Sequence, residues 1–498
     1  MARRDFKPAH LRAALRHVAA HTRACPCHAC LPRRVLRIGQ PLPLSTTAAA
    51  APPRPSPNAS ALASTDYAFE MATSSIRYGR GVTAEVGHDL RALGATRVAI
   101  FTDAGVLRTA AFSTALASID AAGVSRAVFS DVRVEPTDAS FSAAAAWARA
   151  GGFDAYVAVG GGSTIDTAKA ANLYATHSSH EFLDFVNMPI GRGMPVPGPV
   201  RPLIAIPTTA GTGSETTGVA IFDHEPTRAK TGIGSRHLRP VLGLIDPANM
   251  DSMPREVAVA SGLDVLCHAI ESYTALPFSE RSPRPDRPEL RPAYQGSNPI
   301  SDVWALASLR MIATNFERSV AGDARAREAM ALASTYAGIG FGNAGVHLPH
   351  GMSYPISGLC KSLPAVAAAA GARPYASAAH ALIPHGVSVA LPAPAVFRRT
   401  GPAAPERHRT AAEALGVDVS RCASDDGAHA GDLLAAWMVE LLGRLGTPAG
   451  LADAGFRSED VPALVAGALP QERVTKLAPV AVTRDLLEDL FTDSLVYR

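Results

Sequence analysis

Short apolar runs alternate with alanine-rich helical stretches through the first half of the chain. Residues 97–102 (RVAIFT), 127–130 (AVFS), 153–159 (FDAYVAV) and 203–206 (LIAI) read as strands, and 219–222 and 241–245 follow. Residues 139–150 and 164–175 between them carry helical patterning. Strands joined by helical crossovers imply a parallel sheet covered on both faces. Order is expected to begin near residues 65–71. After Asp246-Pro247 the pattern changes to long alanine- and leucine-rich segments at 263–274, 301–320, 324–336, 432–445, 461–469 and 484–494. Apolar residues recur there at helical spacing and strand signals are scarce. Pro-rich stretches at 188–202 and 278–292 read as loops. The chain thus divides into a leader (1–64), an α/β domain (65–250) and an all-helical domain (251–498).

Composition sharpens this picture at the front end. Residues 1–64 hold Arg3, Arg4, Arg12, Arg16, Arg23, Arg33, Arg34 and Arg37 against one acid, Asp5. Leu11, Leu15 and Val18 form an apolar stripe with Arg12 and Arg16 beside it. An arginine-rich, acid-poor amphipathic segment is the signature of an organellar transit peptide. The 498 residues, 47% hydrophobic, suffice for more than one domain. A net charge of +3 gives no reason to expect a nucleic-acid partner. No apolar run reaches the roughly 18–20 residues of a membrane span. Cys25, Cys27 and Cys30 in the leader are spaced too tightly for a metal knuckle and have no second pair of ligands. Cys267, Cys360 and Cys422 are isolated, which fits a reducing compartment such as the mitochondrial matrix.

Four places carry candidate chemistry. In VAVGGGSTIDTAKA, Gly160, Gly161 and Gly162 follow a strand, and Ser163 is placed to cap the next helix. Free backbone N–H groups at a helix start receive phosphate, and glycines let it approach. A tight strand–helix turn explains three glycines equally well, and GxGxxG is absent. In AIPTTAGTGSETT, Thr208, Thr209, Thr212 and Ser214 follow another strand, at the edge where open α/β sheets bind ligands. In SGLDVLCHAIESY, Asp264 and His268 stand one helical turn apart on one face. His350 (GVHLPHGMSY) and His385 (LIPHGVSVALPAP) come later, each followed by glycine. A single histidine is more often structural, but one aspartate with three histidines suits Fe²⁺ or Zn²⁺ with a position left for a substrate oxygen. His347 lies near enough to be a decoy or a supporting residue.

The GGGS turn, the PTTAGTGSE loop, the GLDxxxHAIE helix and two His-Gly sites, in this order, resemble the iron-containing alcohol dehydrogenase family from Tyr78 to the C-terminus. The resemblance implies an N-terminal dinucleotide-binding α/β domain and a helical C-terminal domain, the plan shared with dehydroquinate synthase, with the active site between them. It implies metal ligation by Asp264, His268, His350 and His385. Asp103 matches the acid near the cofactor ribose, favouring NAD. Gly161, Gly162 and Ser163 match the pyrophosphate turn, and Asp166 joins the cofactor-binding set. Thr208, Thr209 and Lys230 match cofactor-side residues. Tyr354 stands where many members have a further histidine, so proton delivery differs or uses Tyr354. The stretch between His350 and His385 is also longer than in simpler members and includes a flexible-looking segment at 364–372.

FLDFVNMPIG, RPAYQGSNPISD and GIGFGNAGVHLPHGMSYPISG resemble the family's mitochondrial transhydrogenase branch. That implies oxidation of a hydroxyacid, 4-hydroxybutyrate, coupled through tightly bound NAD to reduction of an oxoacid, 2-oxoglutarate. A conventional dehydrogenase releasing NADH, a lyase-type relative and a protein with a purely structural metal are the competing readings. The cations that would receive substrate carboxylates are not legible; Arg192 and Lys361 lie in suggestive loops. Neither a membrane nor a nucleic-acid partner is expected, and homo-oligomerisation is left open.

Overall fold

The computed structural model describes residues 65–360, 362–371, 382–420 and 427–497. The leader with its cysteines and apolar stripe, Lys361 and Cys422 lie outside the described residues.

Strands β1 (Ser75–Tyr78), β2 (Arg97–Phe101), β3 (Ser125–Phe129), β4 (Ala155–Gly160), β5 (Leu203–Pro207) and β8 (Leu242–Ile245) form one sheet in the order β1-β8-β5-β4-β2-β3. Every pairing in it is parallel, as expected. The pleat sends alternate residues to opposite faces. Val98, Ile100, Val157 and Val159 join one apolar cluster with Val86 and Leu90 of α1 (Val86–Ala92) and Phe112 and Ile119 of α2 (Ala110–Ala121). Ala99, Phe101, Tyr156 and Ala158 face the other way, onto Ala144 of α3 (Asp138–Gly151) and Ile165 of α4 (Gly162–Thr176).

Three features depart from the expectation. Strand β1 was not foreseen; its sequence, SIRY, leaves every residue half-buried or exposed, so it lacks an apolar signature. The run at 219–222 does form a strand, β6 (Val219–His224), but outside the main sheet. It pairs antiparallel with β7 (Ala229–Gly234) in a two-stranded ribbon. Strand β7 reads AKTGIG; two glycines and a lysine conceal it, since ladder pairing rather than propensity makes it extended.

Beyond β8 the named elements are helical: α5 (Arg255–Thr274), α6 (Pro299–Val320), α7 (Ala324–Ala344), α8 (Leu348–Leu359), α9 (Pro364–Gly371), α10 (His385–Ala390), α11 (Ala393–Thr400), α12 (Pro405–Ala414), α13 (Gly427–Leu445), α14 (Val461–Ala468), α15 (Glu472–Thr475) and α16 (Arg484–Asp493), with short 3-10 turns among them. The flexible-looking segment forms helix α9 from Pro364 to Gly371, with Val366 and Ala370 buried on it. Helix α5 runs through the middle and is buried from Val257 to Thr274 except at Ser261. A helix apolar on all sides belongs in a core, and the polar residues α5 does carry inside are the ones with chemistry.

Candidate active site

Asp264, His268 and Glu271 occupy positions i, i+4 and i+7 of α5, one face of the helix. Three imidazoles surround the Asp264 carboxylate. The Nε2 atoms of His268, His350 and His385 lie 3.6, 3.5 and 3.7 Å from its Oδ1. Four N or O ligands held about 2.1 Å from a tetrahedral cation stand roughly 3.4 Å apart, so this spacing suits a divalent ion. The ligand atoms of Asp264, His268 and His350 are all within 4.8 Å of one another; His385 adjoins that group at Asp264.

Glu271 orders the cluster. Its Oε1 accepts the His350 Nδ1 proton at 2.6 Å, and its Oε2 accepts the His347 backbone N–H at 2.7 Å. A proton on Nδ1 leaves Nε2 as the free donor atom, turned toward Asp264. Asp264 Oδ1 and His350 Nε2 are both buried and have no hydrogen-bond partner. Two such atoms 3.5 Å apart are costly unless a cation sits between them. The ring of His268 stacks on Phe341, centroids 3.9 Å apart. Burial pushes the His268 imidazole down to about 3 against the pull of Asp264, and burial lowers His385 as well. Burial opposes the charge on Asp264, but the neighbouring imidazoles, His268 foremost, hold its carboxyl well below the usual range. Against burial, Glu271 and Asp264 raise His350 to about 10. His347 sits behind, its Nε2 3.0 Å from Thr274 Oγ1.

The adjacent parallel strands β5, β4 and β2 end at one edge, where Thr208, Gly161 and Asp103 follow them. A cleft of 360 Å³ opens there and runs to Asp264 and His385. Asp103, Gly161, Gly162, Ser163, Thr208 and Thr209 all line it. A Cβ on Gly162 would lie 2.4 Å from Thr212 Cγ2, so this glycine lets two loops meet. Ser163 does not cap α4 as expected. The helix begins at Gly162 with no side-chain cap, and the Ser163 hydroxyl accepts the Glu135 N–H at 3.2 Å. The first N–H groups of α4 are thereby left without a side-chain partner beside the cleft. Asp103 Oδ1 accepts from Gly105 N and Val106 N, which orients its carboxylate at the cleft.

A second chamber, of 110 Å³, lies on the far side of Asp264 and His385 and shares Glu135, Gly162 and Ser163 with the cleft. Its walls include His268, His350, Phe341, Val346, Tyr294 and Tyr354. Lys230 and Asp166 belong here rather than to the cleft. Lys230 is clamped by Glu135 and by Asp223 Oδ1 at 2.9 Å. Asp166 Oδ2 accepts Ile221 N at 2.9 Å and its Oδ1 accepts the Ser214 hydroxyl, fastening α4 to β6. Tyr354 is one turn beyond His350 on α8, and its hydroxyl accepts from Arg473 Nη2 at 3.2 Å. Arg192 is exposed and paired with Glu181 and Asp184.

Sequence reasoning missed Glu271, Glu135, Tyr294, Phe341 and Arg473. Glu271 had a signal, its i+7 spacing from Asp264. Glu135 had none: it holds a left-handed backbone with φ 55° between the two cavities, a kind of strain that gathers at functional sites.

Residues 73–247 match the family model "Iron-containing alcohol dehydrogenase", and 293–495 match "Fe-containing alcohol dehydrogenase family, C-terminal". The mitochondrial hydroxyacid-oxoacid transhydrogenases of Rattus norvegicus and Homo sapiens are each 54% identical over 433 residues, 86% of this chain and 90% of theirs. The probable counterpart of Dictyostelium discoideum is 49% identical over 86% of this chain and 80% of its own. Among solved structures, a 1,3-propanediol oxidoreductase superposes with a TM-score of 0.72 at 27% identity, covering 86% of this chain and all of that one. Sulfoacetaldehyde reductase from Bifidobacterium kashiwanohense in complex with NAD+ superposes at 0.67 and 25% identity, over 86% and 98% of the two chains.

Proposed function

The chain belongs to the iron-containing alcohol dehydrogenase family, and from that premise we infer a mitochondrial oxidoreductase that carries out hydroxyacid–oxoacid transhydrogenation. The identity to transhydrogenases over 86% of the chain supports that activity above a conventional dehydrogenase. The substrates we assign are 4-hydroxybutyrate, oxidised to succinate semialdehyde, and 2-oxoglutarate, reduced to 2-hydroxyglutarate. Residues 1–64 are assigned as the transit peptide, 65–250 as the dinucleotide-binding domain and 251–498 as the metal and substrate domain.

One observation carries the chemical reading: Asp264 Oδ1 and His350 Nε2, buried and unpartnered, face each other where the two cavities meet. When bound there, a divalent cation supplies Lewis acidity toward an alcohol or carbonyl oxygen, and NAD supplies a hydride acceptor and donor. Asp264, His268, His350 and His385 would hold the cation, Fe²⁺ in preference to Zn²⁺. Glu271 keeps His350 in the ligating tautomer. The cleft would hold NAD: the N–H groups at Gly161, Gly162 and Ser163 would receive the pyrophosphate, Thr208 and Thr209 would contact it, and Asp103 would receive the ribose hydroxyls. Asp166 and Lys230 brace the wall between cofactor and substrate. Tyr354 offers its hydroxyl in the substrate chamber to carry the proton that accompanies each oxidation or reduction. The cleft would retain NAD between the two half-reactions, so turnover would need none added.

The test uses protein loaded anaerobically with Fe²⁺ and supplied with carbon-deuterated 4-hydroxybutyrate and 2-oxoglutarate, without NAD. Deuterated 2-hydroxyglutarate over many turnovers is expected by mass spectrometry. No transfer, but deuterated NADH once NAD is added, would make this a conventional dehydrogenase.

A further inference from the structure

Against one wall of the substrate chamber lies a guanidinium able to recognise a carboxylate. One side of it is the ligand cluster, through Asp264, His268 and His350. Other walls are Phe341, Val346, Tyr294 and Tyr354. Side chains one turn apart on a helix stand about 6 Å apart, so Tyr354 lies that far along α8 from His350. A four-carbon chain separates its end groups by about the same length. At this end Arg473, carried by α15, donates from Nη2 to the Tyr354 hydroxyl at 3.2 Å and places its guanidinium carbon 4.9 Å from the centre of the Tyr294 ring.

Arg473 is partly buried and forms no ion pair with a carboxylate among the described residues. Arg473 stands behind Tyr354 and Tyr294, which line the chamber, while Lys230, which lines it too, is already held by Glu135 and Asp223. A guanidinium removed from water without a counterion is unfavourable, and its planar fork matches a carboxylate with two parallel hydrogen bonds. The surrounding aromatic rings exclude water from that contact and strengthen it. We propose that Arg473 anchors the substrate carboxylate remote from the reacting carbon. The site then selects short hydroxyacids and oxoacids over neutral alcohols and aldehydes. This rests on the dehydrogenase reading above and adds the residue that sets its substrate class.

Two measurements on the metal-loaded, NAD-containing protein decide it. The first is titration calorimetry with succinate, an unreactive dicarboxylate. The second is the rate at which bound NAD is reduced by 4-hydroxybutyrate or by butan-1-ol, at varied concentration. Arg473→Gln should weaken succinate and raise the half-saturating 4-hydroxybutyrate concentration about 100-fold, the scale of one lost charge-assisted pair. Its use of butan-1-ol should fall by far less, and Arg473→Lys should restore part of the loss. Unchanged succinate affinity in Arg473→Gln, or equal impairment with both alcohols, would overturn the anchor and leave Arg473 a brace for the tyrosines. If the parent protein reduces NAD with neither alcohol, the dehydrogenase reading falls. The succinate titration still decides the anchor, since it requires no turnover.

Discussion

At Asp264 a buried carboxylate is balanced by three imidazoles rather than by a lysine or arginine. That choice matters because neutral imidazole retains a lone pair for a metal, whereas the cationic side chains have none to offer. Which imidazole nitrogen is available is set by Glu271, whose carboxylate takes the His350 Nδ1 proton. Glu271→Gln keeps the volume of the side chain but weakens its grip on that proton. It should lower metal affinity 10- to 100-fold, on the order seen when such supporting carboxylates are lost, with secondary structure unchanged. Competition against a chelator measures the affinity and circular dichroism the fold; an unaltered affinity would remove Glu271 from the metal's support. Spacing along the chain marks Asp264, His268 and Glu271 as one helical face. It says nothing of Tyr294 or Arg473, which come from separate elements and meet only by packing.

Among the elements, α5 supplies two of the proposed ligands from its enclosed face, and α10 is pressed against it. The glycines that follow His350 and His385 now have a physical reason. A Cβ on Gly351 would lie 2.6 Å from Thr475 Cγ2, and one on Gly386 would lie 1.9 Å from the Ala260 carbonyl oxygen and 2.9 Å from Asp264 Cβ. The second clash is with backbone, which cannot swing aside. Gly386→Ala should therefore push α10 off α5 and carry His385 away from Asp264. A loss of about 1–3 kcal/mol in urea unfolding is expected, together with reduced metal content. Gly371→Ala, on α9 where nothing lies within 4 Å of the added methyl, is the control and should cost little. A variant at Gly386 as stable and as metal-rich as the parent would show that α10 tolerates the shift. Element type was legible wherever periodicity was strong, as in α6 and β4. It failed at β7, whose glycines and lysine are extended only because β6 lies alongside.

Over the whole molecule, the proposed cation joins α5, α8 and α10, which are far apart in sequence, and it lies where the sheet's cleft meets the helices. Binding that requires the folded arrangement is stabilisation by mass action. Stripping the metal with a chelator should lower Tm by about 8 °C or more, since a ligand at about 1,000 times its Kd contributes roughly 4 kcal/mol and each kcal/mol moves a large domain about 2 °C. Calorimetry with and without restored Fe²⁺ checks this, and an unchanged Tm would mean the cluster does not tie the helices through a cation. The first of the described residues are also fastened to the helical part: Asp66 pairs with Arg291, and Ala72 exchanges hydrogen bonds with Asn343. By itself the sequence determined the parallel sheet, the helical second half and the family, because period-two and helical patterning and short motifs are local properties. Only the tertiary structure decided that Ser163 serves Glu135 instead of capping α4, that β6 leaves the main sheet, and that Arg473 stands against Tyr354. Those are contacts between residues distant along the chain, and no local pattern specifies which distant partner a polar side chain will meet once the core has closed.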